Sequence, residues 1–188
     1  MQASHDTQLI VDAVERWLLL ADLKGSTRLT AEIPQDELSR RIRRWVAACE
    51  TIIETSGGWV NEYLGDGFLA AWKPGAITPP RVVEVLRKLE SLPIDQGLDF
   101  RFVMHRAEVR SGGGLSNGLE KLAGRELNFL FKAEKAVKIF DRRLVLTAAA
   151  AAALGGEAPL TEVGTIPIPG FMPPARFLEI DPARRAGG

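Results

Sequence analysis

The residues best suited to chemistry in this chain are two aspartates set in turns. Asp22 follows the apolar run Trp17-Leu18-Leu19-Leu20-Ala21, and Asp66 sits inside Gly65-Asp66-Gly67. Singly, each is an ordinary turn residue. Together they mean more, because a buried strand end and a neighbouring hairpin tip put two carboxylates on one ridge. Two carboxylates plus the phosphates of a bound molecule is the usual way for a protein to hold Mg²⁺. Gly25-Ser26-Thr27 comes just after Asp22, in a turn that enters a helix. Its backbone N–H groups would cradle a triphosphate, and its Ser and Thr would cap the helix.

Other segments must position these residues. The run ending at Ala21 is too short for a globular helix and suits a strand buried on both faces. From Pro34 to Thr55 the pattern is helical, with Leu38, Ile42, Trp45, Cys49 and Ile52 at spacings of four, three, four and three. The arginines between them, Arg40, Arg41, Arg43 and Arg44, read as a solvated face. Ser56-Gly57-Gly58 ends that helix, and the runs Trp59–Leu64 and Phe68–Trp72 form a hairpin about Gly65-Asp66-Gly67. Pro79 and Pro80 start a second amphipathic helix that Pro93 closes. Asp99–Val109 is a strand, and Ser111–Gly118 a glycine-rich loop. A third helix runs from about Arg125 to Phe140, its apolar stripe Leu130, Ala133, Val137 and Phe140 flanked by a polar stripe of Asn128, Lys132 and Lys135. Arg143–Thr147, an alanine-rich turn, and strands near Thr161–Ile168 and Ala175–Ile180 complete the chain. This order indicates an α+β fold with helices packed on a mixed sheet.

The 188 residues suit one well-buried core. With 24 basic and 24 acidic side chains the net charge is zero, which argues against a nucleic-acid partner. Cys49 is the one cysteine, so no internal disulfide and no cysteine zinc site can form; it reads as a small buried hydrophobe. The N-terminal residues lack the basic-then-apolar layout of a secretory signal. No apolar run nears the ~18 residues of a membrane span. A cytoplasmic protein with no membrane span is expected.

Several segments, in order, resemble the class III adenylate and guanylate cyclases. LLLADLKGSTRLT resembles their first metal motif and SGGWVNEYLGDGFLAAW their second. FRFVMHRAEV is similar to the strand that usually reads Arg-x-Gly-Ile-His-x-Gly-Glu-Val. GRELNFLFKAEK stands where the family has Gly-x-x-Val-Asn-x-Ala-Ala-Arg, and VGTIPIPGFMPPARFLEI is similar to the closing hairpin. The resemblance runs from Trp17 to Ile180 and implies a ferredoxin-like mixed sheet. It assigns residues 17–182 to a nucleotidyl cyclase catalytic domain. Residues 1–16 are left as a tail or short helix, and 183–188 as a C-terminal tail.

The resemblance also implies roles. Asp22 and Asp66, with the Leu23 carbonyl, would bind two divalent metal ions, Mg²⁺ or Mn²⁺. A nucleoside triphosphate would then close to a 3′,5′-cyclic nucleotide and pyrophosphate. Asn128 would orient the ribose, and Lys132, where the family has arginine, would stabilise the transition state. In the family these helix residues come from the opposite subunit, which implies a homodimer with composite sites. Departures accompany the match: Lys132 lacks the bidentate fork of arginine, Pro169 replaces a phosphate-binding lysine, and Val103 and Ala107 replace glycines. His105, with no nucleophile or acid signature beside it, reads as structural.

Base recognition in the family uses the positions of Glu62 and Lys121. An acceptor beside a donor suits guanine or uracil and opposes adenine. The substituted pocket resembles that of the pyrimidine cyclases of bacterial anti-phage defence. Tyr63 could narrow such a pocket, although a core position on the sheet is the stronger expectation. Other readings stay open: a non-catalytic cyclase-like domain that binds nucleotide or a partner, or a metal-dependent phosphotransferase with a ferredoxin-like palm.

Overall fold

The computed structural model describes residues 12–93, 98–112 and 122–181. Its centre is β1 (Asp12–Leu23), an unbroken strand between β3 (Phe68–Trp72) and β4 (Phe100–Ser111), antiparallel to both. β2 (Gly58–Tyr63) lies outside β3. Beyond β4 come β6 (Leu144–Thr147), β8 (Ala175–Ile180) and β7 (Leu160–Ile166), giving the order β2-β3-β1-β4-β6-β8-β7. β5 (Leu122–Ala123) is a two-residue strand against the end of β4. Only the β4–β6 pair is parallel among the described strands, so the sheet is mixed, as expected.

Strand periodicity separates two cores. Trp17, Leu19, Ala21 and Leu23 pack under α2 (Gln35–Thr55) and α3 (Pro79–Glu90), joined by α5 (Ala148–Ala153). Leu18 and Leu20 point the other way, to α4 (Arg125–Ala136) and to Phe177 and Ile168 of the closing hairpin. Leu18, Leu19 and Leu20 are all nearly inaccessible; burying each stabilises the fold by roughly 2 kcal/mol. The end of β1 is therefore a rigid platform for Asp22. In α2, Leu38, Trp45, Cys49 and Ile53 are buried, while Ile42 and Ile52 pack at the margin. Burial also drives the Cys49 thiol far above its usual range, leaving it an inert core residue.

Two expectations need correction. Residues 12–16, assigned to a tail or short helix, are the first part of β1 and pair with Ala107–Ser111. Their helix-tolerant composition yields to the ladder that β4 offers. The third helix ends at Ala136 and tightens into a 3₁₀ turn, Val137–Phe140. Among the described residues no helix is long and apolar enough to cross a membrane.

Candidate functional site

Asp22 is the next-to-last residue of β1, on the face that α4 covers. The β2–β3 hairpin brings Asp66 to it. Leu64 N–H donates to Gly67 O (2.9 Å) and Asp66 N–H to Leu64 O (3.0 Å), which folds the tip tightly. Gly67 lies against the end of β1: a Cβ there would stand 2.0 Å from the Ala21 carbonyl oxygen and 3.1 Å from Asp22 Cα. Only glycine allows that approach. Asp66, one residue away, lines a pocket of about 270 Å³ with Leu23, Ser26 and Thr27. The strand end and the hairpin tip thus share one ridge.

The turn after Asp22 differs from expectation in one respect. Gly25, at φ 67°, is the N-cap of α1 (Ser26–Glu32), and no side chain caps this helix. Ser26 and Thr27 occupy its first turn instead. The turn is anchored from outside: Lys24 pairs with Asp99 (2.7 Å) and Asp141 (3.3 Å), and its N–H donates to Asp99 O (2.7 Å).

Charged residues not singled out in the sequence surround Asp22. Lys138 Nζ donates to Asp22 Oδ2 at 3.1 Å and lies 3.4 Å from Glu134 Oε1. Arg101, the cross-strand partner of Asp22, is buried with its guanidinium 4.0 Å from the same Glu134 oxygen. Glu134 sits four residues after Leu130, where the stripe of α4 should be apolar, and an acid in such a stripe is the signal that could have found it. Burial, followed by the nearby Asp22 charge, pushes its carboxyl up to about 7, with Lys138 opposing.

A pH dependence follows from that shift. The folded protein keeps the Glu134 proton at pH values where the unfolded chain, near the ordinary 4.5, has lost it. Its contribution to stability is complete below pH 4.5 and declines as pH rises towards 7. Glu134→Gln removes that decline, worth at most a few kcal/mol. Urea unfolding in EDTA should therefore show the variant gaining on the wild type between pH 5 and pH 8. Parallel stability profiles would contradict this.

Asn128 and Lys132 lie on a different face of α4 from the buried Glu134. Asn128 is exposed. Lys132 donates to Pro169 O at 2.9 Å and lies over the Phe171 ring at 5.5 Å, so it is docked on the closing hairpin. Among the described residues, no hydrogen bond or ion pair links Asn128 or Lys132 to Asp22 or Asp66. Val103 is fully buried beneath α4, and Ala107 is half-buried. His105 is buried, with Nδ1 2.8 Å from Thr147 Oγ1 and Nε2 3.3 Å from Glu126 Oε2. Burial lowers its pKa, and its contacts tie β4 to α4 and to the N-cap of α5, a structural role.

Glu62 is exposed on β2, just after a bulge. Lys121 lies outside the described residues. Tyr63 is not a core residue: it is 59% exposed, and its hydroxyl donates to Glu50 Oε1 at 2.6 Å, which pushes the phenol up to about 12.

The donors at the ridge suit a particular class of metal. Among the described residues no group of three or more His, Cys, Asp or Glu side chains forms a closed metal cage. The expected donors, the Asp22 and Asp66 carboxylates and the Leu23 carbonyl, would be hard oxygens that leave most of a coordination shell to phosphates and water. That set fits Mg²⁺ or Mn²⁺ and not a closed zinc site.

No family model matches the chain, and a search of curated proteins finds no match. Solved structures do match. The adenylyl cyclase CyaB from P. aeruginosa aligns over 95% of this chain and 99% of its own, with a TM-score of 0.75 and 15% identity. The guanylyl cyclase Cya2 aligns over 90% and 93%, with a TM-score of 0.72 and 17% identity. The guanylate cyclase domain of RhGC from Catenaria anguillulae, in complex with GTP, aligns over 89% and 96%, at 0.71 and 11%. The fold is that of the class III adenylyl and guanylyl cyclase catalytic domains, spanned almost end to end.

Proposed function

We propose that this chain is a nucleotidyl cyclase, converting a nucleoside triphosphate to a 3′,5′-cyclic nucleotide and pyrophosphate. The observation that carries the reading is the ridge itself, where Gly67 packs the Asp66 hairpin onto the backbone of Asp22 within a cyclase fold. Asp22, Asp66 and the Leu23 carbonyl would hold two divalent ions. Such ions, when bound, lower the pKa of the ribose 3′-hydroxyl and neutralise the phosphates.

The protein's own part is positioning and charge. The N–H groups of Gly25, Ser26 and Thr27 would cradle the phosphates at the start of α1. Asn128 would fix the ribose so that its 3′-oxygen faces the α-phosphorus in line with the leaving pyrophosphate. Lys132 would meet the charge that grows on the phosphate oxygens during attack. As a point charge it gives less orientation than an arginine fork. For that it must leave Pro169 O, its present acceptor.

Within one chain no hydrogen bond or ion pair among the described residues joins Asn128 or Lys132 to Asp22 or Asp66, and Lys132 is engaged by the closing hairpin instead, which supports a homodimer whose sites take Asp22 and Asp66 from one subunit and Asn128 and Lys132 from the other. Phe171 and Met172 lie at the tip of the closing hairpin beside Lys132. Met172, 81% exposed, is an apolar surface that a second subunit would cover.

Glu62 and Lys121 would read the base. An acceptor beside a donor matches the N–H and C=O edge of guanine or uracil, so GTP or UTP should outcompete ATP. A mismatched edge leaves buried polar groups unpaired, enough for about tenfold to hundredfold discrimination. The test is product formation from an equimolar mixture of the four triphosphates with Mn²⁺, identified by mass. Cyclic GMP or cyclic UMP is expected; predominantly cyclic AMP would overturn the base assignment.

A further inference from the structure

We propose that Lys138 is an intramolecular counter-ion that holds the Asp22 carboxylate until a divalent cation displaces it, and so sets the cation concentration the site requires. The inference rests on the metal-binding reading of Asp22. Its basis is the position of the ammonium, 3.1 Å from Asp22 Oδ2 and 3.4 Å from Glu134 Oε1. A dication and an ammonium repel each other and cannot share one carboxylate edge at close range.

The surroundings allow an exchange. Lys138 belongs to the 3₁₀ turn, where Val137 is fully buried and pins the backbone. The Lys138 side chain is half exposed, so it can withdraw without moving α4. Glu134 Oε1 already lies 3.4 Å from the ammonium, so a polar neighbour and solvent both remain to Lys138 when it leaves Asp22. Arg101 holds Glu134 from the other side, at 4.0 Å, and keeps that partner in place. The same lysine therefore satisfies the acidic end of β1 before metal arrives and weakens the site for metal.

The experiment is Mn²⁺ binding to the nucleotide-free full chain, followed by the electron paramagnetic resonance signal of free Mn²⁺. Wild type, Lys138→Met, Lys138→Gln, Lys138→Arg and Asp22→Ala are compared, each checked for folding by its thermal transition. Lys138→Met and Lys138→Gln should bind Mn²⁺ roughly threefold to tenfold more tightly, the range expected for releasing a partly exposed ion pair and one neighbouring positive charge. Lys138→Arg should match wild type, and Asp22→Ala should lose the binding. A purely structural lysine predicts a lower thermal midpoint with unchanged Mn²⁺ affinity. Unchanged or weaker binding in the folded neutral variants, or equal tightening in Lys138→Arg, overturns the counter-ion role and leaves the metal site standing. Absence of Mn²⁺ binding in the wild type overturns both.

Discussion

Asp22→Ala and Asp66→Ala are each expected to lower turnover by at least about a thousandfold, the effect of losing several kcal/mol of charge stabilisation if the proposed metal-dependent site is removed. The reason is electrostatic. Two dications at one site would repel each other, and the Asp22 and Asp66 carboxylates, together with the substrate phosphates, would offset that repulsion. The fold should survive both changes. Asp66 is a hairpin-tip residue whose turn hydrogen bonds are made by the backbone, and Asp22 gives up a partly exposed pair with Lys138. Steady-state rates with Mn²⁺ and thermal unfolding, measured on the same samples, separate lost chemistry from lost structure. Full activity in either folded variant, with any triphosphate, would remove the two-metal account.

The second large effect is complementation. Asp66→Ala and Asn128→Ala chains are each expected to be nearly inactive alone, since every site in either homodimer lacks one half. Mixed and allowed to exchange subunits, half of the dimers are hybrids, and each hybrid has one intact site. Activity should then recover to about a quarter of the wild-type value per chain. The structural motive is that α4 and the 3₁₀ turn after it deliver Glu134 and Lys138 to the chain's own Asp22, while Asn128 stays exposed and Lys132 docks on the closing hairpin. A mixture no more active than its parents would contradict shared sites. So would an active monomer in light scattering.

Much of this architecture was legible because burial and periodicity coincide. The apolar run before Asp22 is the centre of the sheet, and the Leu38–Ile52 spacing is the inner face of α2. Gly65-Asp66-Gly67 marked the hairpin, although nothing local revealed that Gly67 must touch Ala21. What stayed hidden depends on partners distant in sequence. Residues 12–16 carry no strand pattern of their own and become strand because Ala107–Ser111 lies alongside. Leu122–Ala123 is too short to leave a signal. Tyr63 was expected in the core, but it follows the bulge after Val60 and faces solvent and Glu50. Ser26 and Thr27 suggested a cap, yet Gly25 takes that position by adopting a left-handed conformation.

The site divides in the same way. The Asp22 and Asp66 ridge followed from turn chemistry and strand order. The charges that temper it did not. Glu134 belongs to α4 and Lys138 to the 3₁₀ turn after it, more than a hundred residues after Asp22, and Arg101 to a strand whose register with β1 fixes its place opposite Asp22. The acid in the apolar stripe of α4 was the one local sign of that cluster.

The central claim is tested most directly by incubating the purified chain with Mn²⁺ and each nucleoside triphosphate separately. Nucleotide products are identified by mass, and pyrophosphate is quantified in parallel. The account predicts a 3′,5′-cyclic nucleotide and pyrophosphate in equal amounts, most rapidly from GTP or UTP, with none from Asp22→Ala or Asp66→Ala chains. Release of orthophosphate without cyclic nucleotide, or equal cyclisation by the aspartate variants, would contradict it.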